Sequence, residues 1–233
     1  VSEKSSESSV ARYELKLATG LLDVEAVRAA LVAAAPALSE VFPERAVHSL
    51  YYDTRDLAAF RDHVQGIGRR SKLRARWYGG AFAGDGALER KSRDGSASLK
   101  SVQPLVLGGP RQTPLIAQLL TLPQQSVLSL AETYGPDGAA LWGQTPVVWI
   151  SYRRRYFAAP SGLRATLDFS LRAAAVGTLY VPGRLRALGG DVIVELKAEP
   201  HLRDRAADLM ARLGWPRVRH SKYVRAVREL DLR

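Results

Sequence analysis

Along several short stretches of the chain, ionisable side chains take alternate positions. They are Arg12-Tyr13-Glu14-Leu15-Lys16, Lys72-Leu73-Arg74-Ala75-Arg76, Glu89-Arg90-Lys91-Ser92-Arg93, Arg164-Ala165-Thr166-Leu167-Asp168 and Glu195-Leu196-Lys197. Successive side chains of a β-strand point to opposite faces, so each stretch reads as a strand with one charged face and one mostly apolar face. Five such strands in one chain predict a sheet or barrel built around a polyanion.

Helical spacing separates the strands. Asp23 is placed to cap a helix to about Ala35, with Val24, Val27, Leu31 and Ala34 forming one apolar stripe that Pro36 ends. His48 to Tyr52 reads as a strand, and Asp53-Thr54 as the cap of a short helix from Leu57 to Val64. Strands follow over Ser71 to Tyr78, Ala87 to Arg93 and Ser96 to Val102, the last two joined by the turn signal Asp94-Gly95. Between Pro104 and Gly143 the pattern turns helical, at Leu115 to Leu120 and Val127 to Tyr134. Strands resume at Val147 to Phe157, Leu163 to Leu171 and Val192 to Ala198, followed by an amphipathic helix from His201 to Leu213 that Gly214 stops. The tail carries His220-Ser221-Lys222-Tyr223. The sequence shows no internal repeat. The expected organisation is an N-terminal segment over 1–9 without fixed structure, then one domain over 10–233.

Composition narrows the chemistry. The 233 residues are 46% hydrophobic, enough for a full core, and no apolar run reaches the roughly 18 to 20 residues of a membrane span. A cytoplasmic location is expected. The missing initiator Met reads as processing or a fragment, which leaves room for a membrane partner or an adjoining membrane domain. Cysteine is absent, which excludes disulfides, thiolate catalysis and Cys-ligated metals. The formal charge of +11 favours an anionic partner.

If the charged faces line one cavity, Lys16, Lys72, Arg74, Arg76, Lys91, Arg93, Arg164 and Lys197 face only Glu14, Glu89, Asp168 and Glu195. Unpaired charges in a partly dry interior are costly, so an anionic ligand is needed to offset them. Arginine offers forked donors to phosphate oxygens and lysine a compact charge. Carboxylates among cations suggest a bridging divalent metal, and oxygen ligands with only four His in the chain point to Mg²⁺ or Mn²⁺ before zinc. Glu14 and Glu89 read equally as counter-charges. Asp168 reads either as orienting Arg164 or as capping a turn. The four His show no metal spacing and read as surface or packing residues, while Tyr51 and Trp77 read as core.

The order of these motifs resembles a known family. Arg-Tyr-Glu-Leu-Lys at 12–16, Ser-Leu-Tyr-Tyr-Asp-Thr at 49–54, Lys-Leu-Arg-Ala-Arg-Trp-Tyr at 72–78, Leu-Glu-Arg-Lys at 88–91, Tyr-Arg-Arg-Arg-Tyr-Phe at 152–157, Leu-Arg-Ala-Thr-Leu-Asp at 163–168, Val-Glu-Leu-Lys at 194–197 and Ser-Lys-Tyr at 221–223 together resemble the VTC catalytic domain. That domain is the polyphosphate polymerase branch of the triphosphate tunnel metalloenzymes. The resemblance implies an α+β fold, an eight-stranded antiparallel β-barrel forming a triphosphate tunnel with packed helices, and one or two divalent metals. It also implies transfer of the γ-phosphate of ATP to a growing polyphosphate chain. Carried over by position, Lys16, Arg74, Arg76, Lys91, Lys100, Arg154, Arg164 and Lys222 look like phosphate-binding residues. Lys72, Lys197 and Ser221 look like further contacts, and Glu195, with Glu14 and Glu89 as further candidates, looks like the metal ligand. Arg154 is taken from three consecutive arginines because Tyr152, Arg154 and Phe157 match the family's Tyr-x-Arg-x-x-aromatic pattern. Alternation alone equally allows Arg153 and Arg155 to face inward. The related CYTH branch typically begins Glu-x-Glu-x-Lys, whereas this chain has Arg12-x-Glu14-x-Lys16, which supports the polymerase branch.

The expected function is a metal-dependent ATP:polyphosphate phosphotransferase, with ATP, polyphosphate and pyrophosphate or triphosphate as ligands. The alternatives are an inorganic or nucleoside triphosphatase and a non-catalytic polyphosphate or inositol-phosphate sensor. Nucleic acid is disfavoured because aromatics do not interleave with the basic positions as a stacking platform requires.

Overall fold

The computed structural model describes residues 13–20, 23–80, 86–95, 97–105, 142–176 and 185–232. The strands are β1 (Tyr13–Ala18), β2 (Ser39–Asp53), β3 (Arg70–Tyr78), β4 (Gly86–Asp94), β5 (Ala97–Pro104), β6 (Thr145–Ala158), β7 (Arg164–Ala175), β8 (Arg186–Ala187) and β9 (Ile193–Ala198). The helices are α1 (Val24–Ala34), α2 (Ala58–Gln65), α3 (Arg203–Leu213) and α4 (Lys222–Glu229). Eight strands pair in the order β1-β9-β7-β6-β2-β3-β4-β5, with the short β8 added to β7. Every pairing is antiparallel. The expected tunnel architecture takes the form of a curled half-barrel, and Glu14 on β1 reaches Lys91 on β4 at 3.6 Å across its concave side.

The period-two pattern decides which side each residue faces. Leu73, Ala75 and Trp77 on β3 are buried on the convex side, while Lys72, Arg74 and Arg76 between them turn to the concave side. On the convex side of β1, β9 and β7, the helices α1 and α3 cover Leu15, Leu17, Leu167, Val194 and Leu196. Val27 and Leu31 of α1 are fully buried there, each stabilising by roughly 1.5–3 kcal/mol. Helix α4 lies instead within the curl, its Tyr223, Val224 and Val227 packed with Val148, Ile150, Leu171 and Tyr51. One end of the concave face is thereby filled with apolar side chains.

The capping expectations hold. Asp23 accepts from the Glu25 amide at 2.7 Å at the start of α1. Asp53 accepts from the Ala59 and Phe60 amides at 2.9 and 3.1 Å, and Thr54 from the Ala58 amide at 3.0 Å, fixing α2. Gly95, at φ 55°, turns β4 into β5 where a side chain would be strained. Strand β2 is longer than read. Its first half is exposed and kinked by register shifts between Glu40 and Phe42 and between Phe42 and Arg45, so no clean alternation marks it. The N-terminal segment over 1–9 and both helical pieces read between 104 and 143 lie outside the described residues. No helix among the described residues is long and apolar enough to cross a membrane.

Candidate phosphoanion site on the concave face

Three strands, β2, β3 and β4, build one wall of the site. Arg74 donates through Nε and Nη2 to Glu89 Oε2 at 2.8 and 2.6 Å, and through Nη1 to the Tyr51 hydroxyl at 2.8 Å. Arg76 donates to Ser49 Oγ and to the Tyr152 hydroxyl, each at 3.2 Å, and lies 3.8 Å from Glu89. Lys100 on β5 closes on Glu89 Oε1 at 3.0 Å. Burial alone would raise the Glu89 carboxyl, but Arg74, Arg76 and Lys100 outweigh it and hold it at about 2. Glu89 is thus the counter-charge of three cations.

The opposite wall comes from β1, β9, β7 and β6. Arg154 grips Asp168 with Nε and Nη2 at 2.5 and 2.8 Å, and Lys222 reaches the same carboxylate at 2.5 Å. Burial opposes the Asp168 charge, yet Lys222 and Arg154 prevail and lower its pKa. Glu195 pairs with Lys197 at 2.8 Å and Lys16 with Glu14 at 3.0 Å. Glu195 is buried, and Lys16, Lys197 and Arg154 overcome that burial to hold it well below the usual carboxylate range. Arg164 is exposed on the same face, opposite Lys197 in register.

Lys72 has a different environment. Its amine donates to Ser221 Oγ at 2.7 Å and makes no ion pair among the described residues. Burial first, then Lys16, Arg70, Lys91 and Arg74 around it, press its pKa down to about 7. Lys72 stands opposite Lys91, and Lys91 opposite Lys100, so one row across β3, β4 and β5 is all cationic. Like charges directly opposite destabilise a sheet; Lys91 and Lys100 each reach a carboxylate, Glu14 and Glu89, whereas Lys72 does not. The neighbouring imidazoles stay neutral. Burial and then Lys72 and Arg70 push His63 to about 4, while burial and then Lys222 and Arg225 push His220 to about 3.

All the expected site residues share this face. Lys16, Lys72, Arg74, Arg76, Arg154, Lys222 and Ser221 sit deep in it, whereas Lys91, Lys100, Lys197 and Arg164 lie toward its rim. Of the three consecutive arginines only Arg154 turns inward; Arg153 and Arg155 pair with Glu44 on the convex side at 2.5 and 3.1 Å. The structure changes two assignments. Asp168 holds Arg154 and Lys222 rather than Arg164, because the β6–β7 register sets it opposite Arg154. Tyr51 is buried as expected but is also a polar partner of Arg74. Ser49 and Tyr152 were not singled out as site residues, although their inward positions follow from alternation with Leu50 and Arg153.

No three His, Asp or Glu side chains among the described residues form a ready-made metal cluster. A single hard cation nevertheless fits beside Glu195. Its carboxylate is ionised, Glu14 stands on the paired strand, and the buried Thr166 Oγ opposite it has no hydrogen-bond partner. Phosphate oxygens and water would complete such a coordination shell.

Residues 11–105 match the family model described as the VTC domain. No curated protein matches the chain. Among solved structures, a Pyrococcus horikoshii OT3 protein superposes with a TM-score of 0.51 at 15% identity, covering 94% of this chain and 99% of its own. A candidate adenylate cyclase from Vibrio parahaemolyticus gives 0.49 at 15% identity, covering 90% of this chain and 94% of its own. A Hippeastrum protein, a candidate adenylyl cyclase with a dominant triphosphatase activity, gives 0.49 at 18% identity over 94% of this chain and 95% of its own. The stretch that matches the VTC-domain model, 11–105, holds four of the eight motifs and contains Lys16, Lys72, Arg74, Arg76, Glu89, Lys91 and Lys100.

Proposed function

We propose that the concave face binds linear phosphoanions and that the chain is a metal-dependent phosphotransferase, passing the γ-phosphate of ATP to a growing polyphosphate chain. The observation that carries this reading is Lys72, an amine surrounded by cations, without a carboxylate, and pressed to about 7. An amine in that state is relieved by an anion bearing several charges, and a chain of phosphates supplies them.

The residues divide the work. Arg74, Arg76 and Arg154 present guanidinium forks at fixed angles, held by Glu89 and Asp168, so they meet phosphate oxygens without reorganising. Lys16, Lys72 and Lys222 place compact charges, neutralising the negative charge that builds on the transferred phosphoryl group. Ser221 is within reach of the same oxygens, while Lys91, Lys100, Lys197 and Arg164 would guide the chain at the rim. Glu195 would hold the divalent ion, Mn²⁺ or Mg²⁺, which supplies charge withdrawal from bridging phosphate oxygens.

The carboxylates favour a phosphate acceptor over water. Glu14, Glu89, Asp168 and Glu195 are all engaged by cations, and the last three are held below their ordinary range, which makes them weak bases toward water. A terminal phosphate is already ionised near neutral pH and needs no base. A cytoplasmic setting, where ATP is supplied, belongs to the same proposal. Incubating the purified chain with ATP and Mn²⁺ or Mg²⁺ and resolving the products by size tests it. Chain growth is the expected result. Orthophosphate without polymer would make the chain a triphosphatase, and no turnover with retained binding would make it a sensor.

A further inference from the structure

Where β2 and β6 run on past Arg154, the inward side chains are aromatic, and Tyr156 shares a cross-strand row with Thr166, Glu195 and Lys16. Phe42 on β2 stands opposite Tyr156 on β6, the ring centroids 5.8 Å apart at 86°. The Arg45 guanidinium lies 5.0 Å from the Phe42 ring and 6.0 Å from that of Tyr156. Arg154 covers the deeper side of the same ladder, 5.8 Å from Tyr156 and 5.4 Å from Tyr152. Tyr78 stands nearby, close enough to add to the effect of burial in raising the Tyr156 phenol while Arg154 opposes it. Phe42 is 51% exposed and Tyr78 41% exposed, so these ring faces meet solvent rather than core.

A phosphate chain makes no use of an aromatic surface, whereas a nucleobase stacks on aromatic rings and on guanidinium planes. We propose that Phe42, Tyr156 and Tyr78, with Arg45, form a nucleobase subsite at the open end of the concave face, so that a nucleoside triphosphate binds base outward and phosphates inward. The subsite rests on the reading of the concave face as a triphosphate site. Spacing supports it: Tyr156 and Arg154 are two residues apart on β6, about 7 Å, which is the scale of a ribose between a base and its α-phosphate. Next to Arg154 lie Lys222, which shares Asp168 with it, and Arg76, which shares Tyr152 with it, so the phosphates would run inward from Arg154 to these two cations. Stacking reads ring area rather than hydrogen-bond pattern, which predicts purine over pyrimidine and little distinction between adenine and guanine.

Calorimetric titration of the full chain with a non-hydrolysable ATP analogue and, separately, with inorganic tripolyphosphate tests the subsite. Phe42→Ala is expected to weaken the ATP analogue about ten-fold, in line with the loss of one base stack, and to leave tripolyphosphate unchanged. Phe42→Trp, with a larger ring, should restore or tighten the analogue, which separates stacking from any local disturbance of β2. Equal weakening of both ligands by Phe42→Ala, or no weakening of the analogue, would overturn the subsite while the triphosphate reading stands. Failure of the unmodified chain to bind either ligand would overturn the triphosphate reading and the subsite together.

Discussion

Two side chains decide how the site handles charge. The pKa of Lys72 falls from an ordinary 10.5 to about 7 in the folded protein. Between those values the unfolded chain holds a proton that the folded chain lacks, so this group makes stability rise with pH across that window. A bound phosphate favours the charged amine and reverses the balance, so binding above about pH 7 should take up a proton. Lys72→Met should flatten the melting temperature between pH 7 and pH 9 and weaken tripolyphosphate binding; an unchanged slope would assign the titration to another group. Glu195 behaves in the opposite sense. Its charge is held by Lys16, Lys197 and Arg154, and Glu195→Gln removes a metal ligand while leaving those cations free for phosphate. That variant should lose metal-dependent turnover yet keep tripolyphosphate affinity in calorimetry, and normal turnover at low metal would reduce Glu195 to a counter-charge. Alternation in the sequence was enough to set these residues on one face, because a strand's period is independent of its partners. Which carboxylate holds which cation was not legible: Asp168 goes to Arg154 and Lys222 through the register of β6 with β7, and register depends on bulges that no single motif encodes.

The first turn of α4 ties the concave face to the fold. Ser221 caps the helix at the Val224 amide and accepts from Lys72, Lys222 reaches Asp168, and Tyr223 stacks on Tyr51 at 5.2 Å. The Tyr223 hydroxyl also donates to Asp53 at 2.5 Å, linking α4 to the carboxylate that starts α2. Tyr223→Phe keeps the ring stack and leaves Asp53 its backbone donors from Thr54, Ala59 and Phe60, so the cost to folding should be about 1–2 kcal/mol. Lys222 and Ser221 would then sit on a looser turn. Turnover should fall more than the stability loss alone accounts for, which thermal melts and initial rates on the same preparation would show; full turnover would make the Tyr223 link purely structural. Most elements were legible, since apolar spacing of Val24, Val27 and Leu31 or the alternation in β3 reports burial directly. The Ser-Lys-Tyr tail was legible as a motif but not as a helix inside the curl. Its placement depends on complementarity with Tyr51, Ile150 and Leu171, contacts distant in sequence. The first half of β2 escaped for the reverse reason, being exposed and bulged, and it is this half that carries Phe42 and Arg45.

At the scale of the molecule, the sheet concentrates on one surface a positive charge that its own carboxylates only partly cancel. Glu14, Glu89, Asp168 and Glu195 each neutralise nearby cations, Glu14 reaching Lys91 and Glu89 reaching Lys100, but Lys72 in the same row makes no ion pair among the described residues, and Arg70 faces Arg93 in the next row. The chain as a whole carries +11, so no distant surplus of acid offsets this end. Folding therefore works against repulsion within the curl, supported by the apolar layers beneath α1, α3 and α4. A ligand that brings several negative charges along one line should relieve the repulsion in addition to stabilising by ordinary mass action, which alone supplies about 2.7 kcal/mol at a hundred times the dissociation constant. Tripolyphosphate should therefore raise the melting temperature by several degrees. Sulfate at equal ionic strength, which screens but cannot span Arg154, Arg76 and Lys72 together, should raise it much less. The two anions compared in thermal melts of the same preparation check this, and equal shifts would mean that the concave face is a generic basic surface rather than a site shaped for a phosphate chain.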